Sequence, residues 1–204
     1  MIAIVDCGIS NTGSIVNMLR RCGAHICIAR SPEDVESASK LILPGVGSFD
    51  YGMQRLRALD LVSVLERKVS HQRTPILGIC LGLELFTRRS EEGDQPGLGW
   101  LDAETVRFRT ALNGAGVKVP HMGWNTIRRE RAAEGLPALN EAGRFYFAHS
   151  YHVVCNKEDD VFATTSYGYK FASVVRHENI LGVQFHPEKS HRFGLAFLRD
   201  FATL

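Results

Sequence analysis

Several large classes of protein are excluded by what this chain has little of. Its five cysteines stand at scattered spacings, so neither a disulfide framework nor a zinc site is expected. Charge of one sign is also missing: 24 basic against 22 acidic residues leave a net charge of +2. No basic patch accompanies it, so nucleic acid and membrane surfaces are not expected as partners. The opening Met1-Ile-Ala-Ile-Val-Asp6 carries no charged leader. No apolar run approaches the roughly 20 residues that a membrane span requires. A cytoplasmic protein is therefore expected. Walker spacing and Gly-x-Gly-x-x-Gly are absent, and Gly8 and Gly13 in the first loop fit neither. No nucleotide cofactor and no metal is expected.

The sequence does have the makings of one globular unit over 1–204, with 45% hydrophobic residues. Ile2–Val5 reads as a buried strand, and Ser10 or Asn11 can cap a helix with Ile15, Val16, Met18, Leu19 and Cys22 on one stripe. Strands follow at Ile26–Ala29 and Lys40–Leu43, then a helix over Leu59–Val69. Alternating strands and helices predict parallel pairing with right-handed crossovers. Beyond residue 100 the pattern changes to shorter strands: Trp100–Phe108, Gly123–Ile127, Arg144–Ser150, Val161–Thr165 and a pair around Arg176–Asn179. A helix from about His191 to Phe201 closes the chain. The expected fold is α/β, a mostly parallel central sheet flanked by helices, with an antiparallel extension.

Two motifs carry chemistry. In Thr74-Pro-Ile-Leu-Gly-Ile-Cys-Leu-Gly-Leu-Glu-Leu-Phe86 a short apolar strand runs straight into a helix-spaced Leu81, Leu85 and Phe86. Cys80 sits at the junction between Gly78 and Gly82, the pattern of a nucleophile elbow with sulfur in place of a serine hydroxyl. A helix N-terminus there favours thiolate. Far downstream, Ile180-Leu-Gly-Val-Gln-Phe-His-Pro-Glu188 is another apolar strand, ending in His186-Pro-Glu188. Residues two apart on an extended chain share a face, so Glu188 can orient the His186 imidazole. A thiol, a histidine and a carboxylate in those places are the parts of a nucleophile–base–orienter triad. The plainer reading of Cys80, a buried structural cysteine, is disfavoured by the pairing of the two motifs.

Taken together, Gly78-Ile-Cys80-Leu-Gly82 and His186-Pro-Glu188 resemble the triad-type (class I) glutamine amidotransferases, whose fold is flavodoxin-like. Pro44-Gly-Val-Gly-Ser-Phe49, Pro120-His-Met-Gly-Trp-Asn125 and Phe145-Tyr-Phe-Ala-His-Ser-Tyr151 are similar to stretches of the glutaminase subunits of imidazole glycerol phosphate synthases. The resemblance runs from the first strand to the last helix. It implies hydrolysis of L-glutamine through a thioester on Cys80, with His186 and Glu188 completing the triad. The amides of Gly47 and Leu81 would hold the oxyanion. Gly45, Glu84, Glu92, Ser150 and Tyr151 would line the substrate pocket, Glu92 receiving the α-amino group and Ser150 and Tyr151 the carboxylate end. It also implies a heterodimer with a barrel-shaped cyclase that receives the ammonia, faced by Asn11, His121, Trp124 and Lys189. His149 reads instead as a satisfied histidine at a sheet edge. Arg88-Arg89 and Arg128-Arg-Glu-Arg131 read as solvated faces.

The chain departs from the resembled pattern at Glu84, where relatives carry Gln. Four residues after Cys80 it shares the same helix face. An ionised carboxylate there would raise the thiol's pKa. Glu84 is thus expected to be protonated, paired with a cation, or a brake on activity. Cys7 and Ile9-Ser10 also stand where relatives have an aromatic and a Gly-rich turn. Three functions stay open: the histidine-pathway glutaminase, a paralogue feeding ammonia to a synthase acting on a sugar nucleotide for surface polysaccharide, and a catalytically weak binding subunit. Lys189-Ser-His-Arg-Phe-Gly194 points to the second and Glu84 to the third.

Overall fold

The computed structural model describes residues 1–109, 117–131, 135–139 and 143–204. Its strands are β1 (Ile2–Val5), β2 (Ile26–Ala29), β3 (Lys40–Gly45), β4 (Ile76–Cys80), β5 (Ala103–Arg107), β6 (His121–Thr126), β7 (Arg128–Arg129), β8 (Arg144–His149), β9 (Tyr151–Cys155), β10 (Val161–Tyr167), β11 (Tyr169–His177) and β12 (Ile180–Val183). Among the described residues, one sheet of eight strands runs in the order β2-β1-β3-β4-β12-β11-β10-β7. The pairs from β2 to β12 are parallel, and those from β12 to β7 are antiparallel. Two antiparallel pairs, β5–β9 and β6–β8, lie outside it. The α/β architecture with its antiparallel extension is the one expected.

Helices α1 (Thr12–Arg21), α2 (Pro32–Glu36), α3 (Phe49–Ala58), α4 (Leu61–Glu66), α5 (Leu81–Leu85) and α6 (His191–Thr203) cover both faces. Among the described residues, no helix is long and apolar enough to cross a membrane. Ala3, Val5, Leu41, Leu43 and Ile76 pack in one core with Val35, Phe49, Leu56, Leu65 and Leu85 of α2 to α5. Ile2, Ile4, Ile42, Leu77 and Ile79 pack in the other, against Ile15 and Leu19 of α1 and Phe197 and Phe201 of α6. Because strand side chains alternate and both faces are covered, these strands read as unbroken apolar runs. Each Val, Leu, Ile or Phe among them taken wholly out of water contributes roughly 1.5–3 kcal/mol. The two cores thereby fix the carboxyl ends of β3, β4 and β12 side by side. In parallel sheets of this kind ligands bind just beyond those ends.

The structure redraws some boundaries. Asn11 takes the cap position of α1, but its side chain makes no cap hydrogen bond. The single helix expected over 59–69 begins at Leu61, because Asp60 adopts a left-handed φ of 54°. It then widens into a π-helical turn at Arg67–His71. The segment expected as Gly123–Ile127 is a longer strand, β6, and a short one, β7, with Ile127 between them.

Candidate active site

Cys80 ends β4 and opens directly into α5, with φ 53° and ψ −112°. A positive φ is unfavourable for a residue with a side chain, and it persists only where the surroundings enforce it. Two neighbours make room for it. A Cβ at Gly82 would lie 1.8 Å from the carbonyl oxygen of Leu43, and one at Gly78 would lie 2.5 Å from a ring carbon of Phe86. The helix can start this close to β3 and β4 only because both positions lack a side chain. The Gly-x-Cys-x-Gly spacing is therefore a steric requirement of the turn.

Cys80 is 6% exposed. Burial, and after it the charge of Glu84, holds its thiol well above its ordinary pKa, while the Leu81 amide facing the sulfur pulls the other way. This corrects the expectation of a thiolate favoured by the helix end. The helix α5 has five residues, and loss of solvent outweighs what its amides supply. Glu84 is itself buried, 5% exposed, and burial lifts its carboxyl to about 8. Among the described residues it has no cationic partner; its Oε1 accepts a hydrogen bond of 2.8 Å from Nε2 of Gln184. The same nitrogen lies 4.0 Å from Cys80 Sγ. Of the three expectations for Glu84, the carboxyl protonated at neutral pH is the one these surroundings support.

Beyond β12 the chain carries His186 to the same end of the sheet. Pairing of Gly182 with Gly78 and of Val183 with Ile79 sets Gln184 alongside Cys80. His186 is 2% exposed, and its Nδ1 lies 2.7 Å from Oε1 of Glu188. Strand alternation is not what brings the two together. Pro187–Lys189 forms a 3-10 turn that folds the carboxylate back on the ring. The backbone of His186 is clamped to its surroundings: its amide donates to the Tyr146 carbonyl of β8 at 2.8 Å, and its carbonyl accepts from Ser190 Oγ at 2.6 Å. Among the described residues, no hydrogen bond joins His186 to Cys80. Such bonds are often long before substrate arrives.

A cavity of about 270 Å³ opens on the sulfur, lined in part by Gly47, Leu81, Glu84, Glu92, Ser150 and Tyr151. Gly47 has a φ of 106°, a conformation suited to glycine. One oxygen of Glu92 accepts the Phe49 amide at 2.7 Å. Ser150 alone separates β8 from β9, which opens with Tyr151. Residues from distant stretches of sequence thus meet at one small cavity with a cysteine in its wall.

The glutamine amidotransferase class-I family matches residues 3–203. The chain belongs to the class-I glutamine amidotransferases. Across its whole length this amidotransferase is 48% identical to the protein of Pseudomonas aeruginosa named imidazole glycerol phosphate synthase subunit HisH 2, over 100% of both chains. It is also 48% identical to the subunit HisH 2 of Methanococcus maripaludis, over 98% of each. A solved glutamine amidotransferase shares the fold with a TM-score of 0.73 at 20% identity, over 100% of this chain and 99% of that one. The glutaminase domain of Trypanosoma brucei CTPS does so at 0.66 and 17%, over 99% and 93%.

The remaining expected residues of the amidotransferase fall into two groups. Asn11 and Lys189 line a neighbouring cavity of about 170 Å³ with His186 and Glu188, and Val46 borders both cavities. Gly45, expected in the substrate pocket, belongs to this second cavity instead. It ends β3, where a Cβ would lie 2.9 Å from that of Leu81, so its lack of a side chain lets α5 start against the strand. Trp124 and Met122 are exposed, and Trp124 stacks on His191 with centroids 5.3 Å apart. His121, expected with them at a partner face, is buried at 3%. It lies on β6, where side chains alternate, so His121 turns inward as Met122 and Trp124 turn out. His149 is satisfied: its Nε2 lies 3.0 Å from Nδ1 of His121 and its Nδ1 lies 2.7 Å from the Tyr151 carbonyl. Gln184 is the residue of the site that sequence reasoning misses. Its signal is its place two residues before His186, on the segment that runs beside the elbow strand.

Proposed function

We propose that this chain is the glutaminase subunit of an imidazole glycerol phosphate synthase, a cytoplasmic heterodimer in which it releases ammonia from L-glutamine for a cyclase partner. The observation that carries the reading is the strained Cys80 in the wall of a cavity shared with Gly47, Leu81, Glu92, Ser150 and Tyr151. The subunit names of relatives 48% identical over nearly the full length support the pathway and the partner.

Glutamine enters with its α-amino group toward Glu92 and its carboxylate toward Ser150 and Tyr151, which leaves the side-chain amide over the sulfur. A thiol held this high by burial does not ionise by itself, so His186 takes its proton as the sulfur attacks the amide carbon. The Gly47 and Leu81 amides hold the oxyanion that forms. Glu188, bonded to His186 Nδ1, keeps Nε2 as the exchanging nitrogen and stabilises the imidazolium. That imidazolium gives its proton to the departing nitrogen, and ammonia leaves a glutamyl thioester on Cys80. Water that has lost a proton to His186 then attacks the thioester, glutamate is released, and the proton returns to the sulfur. Asn11, Trp124 and Lys189 are assigned to the partner's face, with Met122 on the same side of the ribbon as Trp124.

The test is glutamate release by the chain alone and with its cyclase, with and without the cyclase's phosphorylated ligand. Release that requires the partner and vanishes in Cys80→Ala is expected. Release unchanged by Cys80→Ala, or no release under any condition from an intact complex, would overturn the reading.

A further inference from the structure

Behind Ser150 and Tyr151 lies a chain of hydrogen bonds that the chemistry above does not use. Asn125 Nδ2 lies 3.3 Å from His121 Nε2 and donates to the Ser166 carbonyl at 3.1 Å. His121 Nδ1 lies 3.0 Å from His149 Nε2, and His149 Nδ1 lies 2.7 Å from the Tyr151 carbonyl. The two ends of this chain fix every proton in it. A carbonyl only accepts, so His149 carries its proton on Nδ1, and its Nε2 must accept. His121 therefore donates from Nδ1, and its own Nε2 accepts from the Asn125 amide. One tautomer at each ring satisfies all the partners, and the alternative leaves two acceptors or two donors facing each other.

The rings are held in place by packing as well. His121 stacks on Phe147 and Tyr167 with centroids 4.7 and 4.0 Å away, and His149 lies 5.2 Å from Phe108. Burial keeps both imidazoles neutral, depressing His121 to about 4 and His149 to about 3. A second proton on either ring would put donor against donor. The last link spans the junction itself: the carbonyl that His149 grips belongs to Tyr151, and Ser150 lies between them.

We propose that His121 is a positioning residue, which through His149 fixes the Ser150–Tyr151 junction that receives the carboxylate end of glutamine. This rests on the glutaminase reading of the cavity. A buried polar pair among aromatic side chains needs a reason beyond packing, since apolar residues of the same shape would fill the space without its desolvation cost. Orientation of one carbonyl, and with it of the junction, supplies that reason. A segment held this way needs no ordering when substrate binds, which appears as affinity for glutamine and not as speed of bond breaking.

Two measurements test it. Two-bond ¹H–¹⁵N correlation spectra of the full chain at pH 7 are expected to show neutral Nδ1–H tautomers at both His121 and His149. An Nε2–H tautomer at either ring would overturn the proposal. In the complex with its cyclase, His121→Phe keeps the ring packing but cannot donate. About a tenfold rise in KM for glutamine is expected, the scale of one buried hydrogen bond, with kcat within about twofold. His121→Asn, which returns a donor near the Nδ1 position, is expected to recover most of that affinity. An unchanged KM in His121→Phe, or the same rise in both variants, would sink the positioning role while leaving the glutaminase reading intact. Absence of turnover in the unaltered complex would overturn both.

Discussion

Glu84→Gln is the perturbation that most directly separates chemistry from architecture in this site. In the folded chain the carboxyl is raised from 4.5 to about 8, chiefly by burial. Each tenfold change in acidity is about 1.4 kcal/mol, so the ionised form is disfavoured by roughly 5 kcal/mol at most. Between these two values the folded chain holds a proton that the unfolded chain has released. The proton's contribution is thus fully present below 4.5 and is lost as pH rises to about 8. Glutamine has no such dependence. The variant is expected to gain on the parent by about 1.4 kcal/mol per pH unit across that window, with the gap level above it. Thermal or denaturant unfolding at pH 5, 6.5 and 8 reads this directly.

The same substitution bears on rate. Glu84 Oε1 and Cys80 Sγ both lie near Gln184 Nε2, at 2.8 and 4.0 Å. For two charges at ~6 Å and an effective dielectric of about 20, repulsion is about 3 kcal/mol. That is roughly a hundredfold less thiolate whenever Glu84 is ionised. The parent glutaminase rate in the complex is therefore expected to fall away from that of the Glu84→Gln enzyme as pH rises through about 8, where the variant shows no such break. Superimposable pH profiles and parallel stability curves would refute the argument, because both effects stem from the same proton.

Three further outcomes follow from the geometry. Glu188→Gln should lower kcat for glutamate release by about tenfold or more with a smaller change in KM, measured in the complex, because it replaces the acceptor 2.7 Å from His186 Nδ1 with a group that cannot balance an imidazolium. Gly82→Ala should cost about 3 kcal/mol or more in urea unfolding, since its Cβ would lie 1.8 Å from a backbone oxygen of β3 and no side chain can move aside. Phe185→Ala should cost about 3–5 kcal/mol in the same assay. That ring is fully buried and stacks on Phe145 at 4.0 Å.

Much of this is legible in the sequence because local sterics dictate it. Gly78 and Gly82 announce a turn that any larger residue would block, and the apolar runs at Ile2–Val5 and Ile76–Ile79 announce strands covered on both faces. What the sequence hides depends on contacts between distant segments. Gln184 becomes part of the site only through the register of β12 on β4. His121 reads as a surface residue beside Met122 and Trp124 until the pairing of β6 with β8 fixes which side of the ribbon is covered. Strand alternation predicts the His186–Glu188 contact, yet a 3-10 turn begun by Pro187 produces it.

These features combine into a site whose parts are present while its nucleophile is un-ionised. The thiol is buried, and among the described residues the base makes no hydrogen bond to it. Both raise the cost of attack before glutamine and any partner are seated. In the proposed reaction a glutamine amide would lie beside the sulfur, and its oxyanion would call on the Leu81 amide that already faces it. Any contact that shortens the path from His186 to Cys80 would then act on a site with the rest of its chemistry in place. The segment carrying His186 is tied to β8 through Tyr146 and Ser190, and β8 pairs with β6, the ribbon strand that exposes Met122 and Trp124. A load on that outward face therefore meets a continuous path of hydrogen bonds leading to the base, and the nucleophile it would have to reach stands on the neighbouring strand.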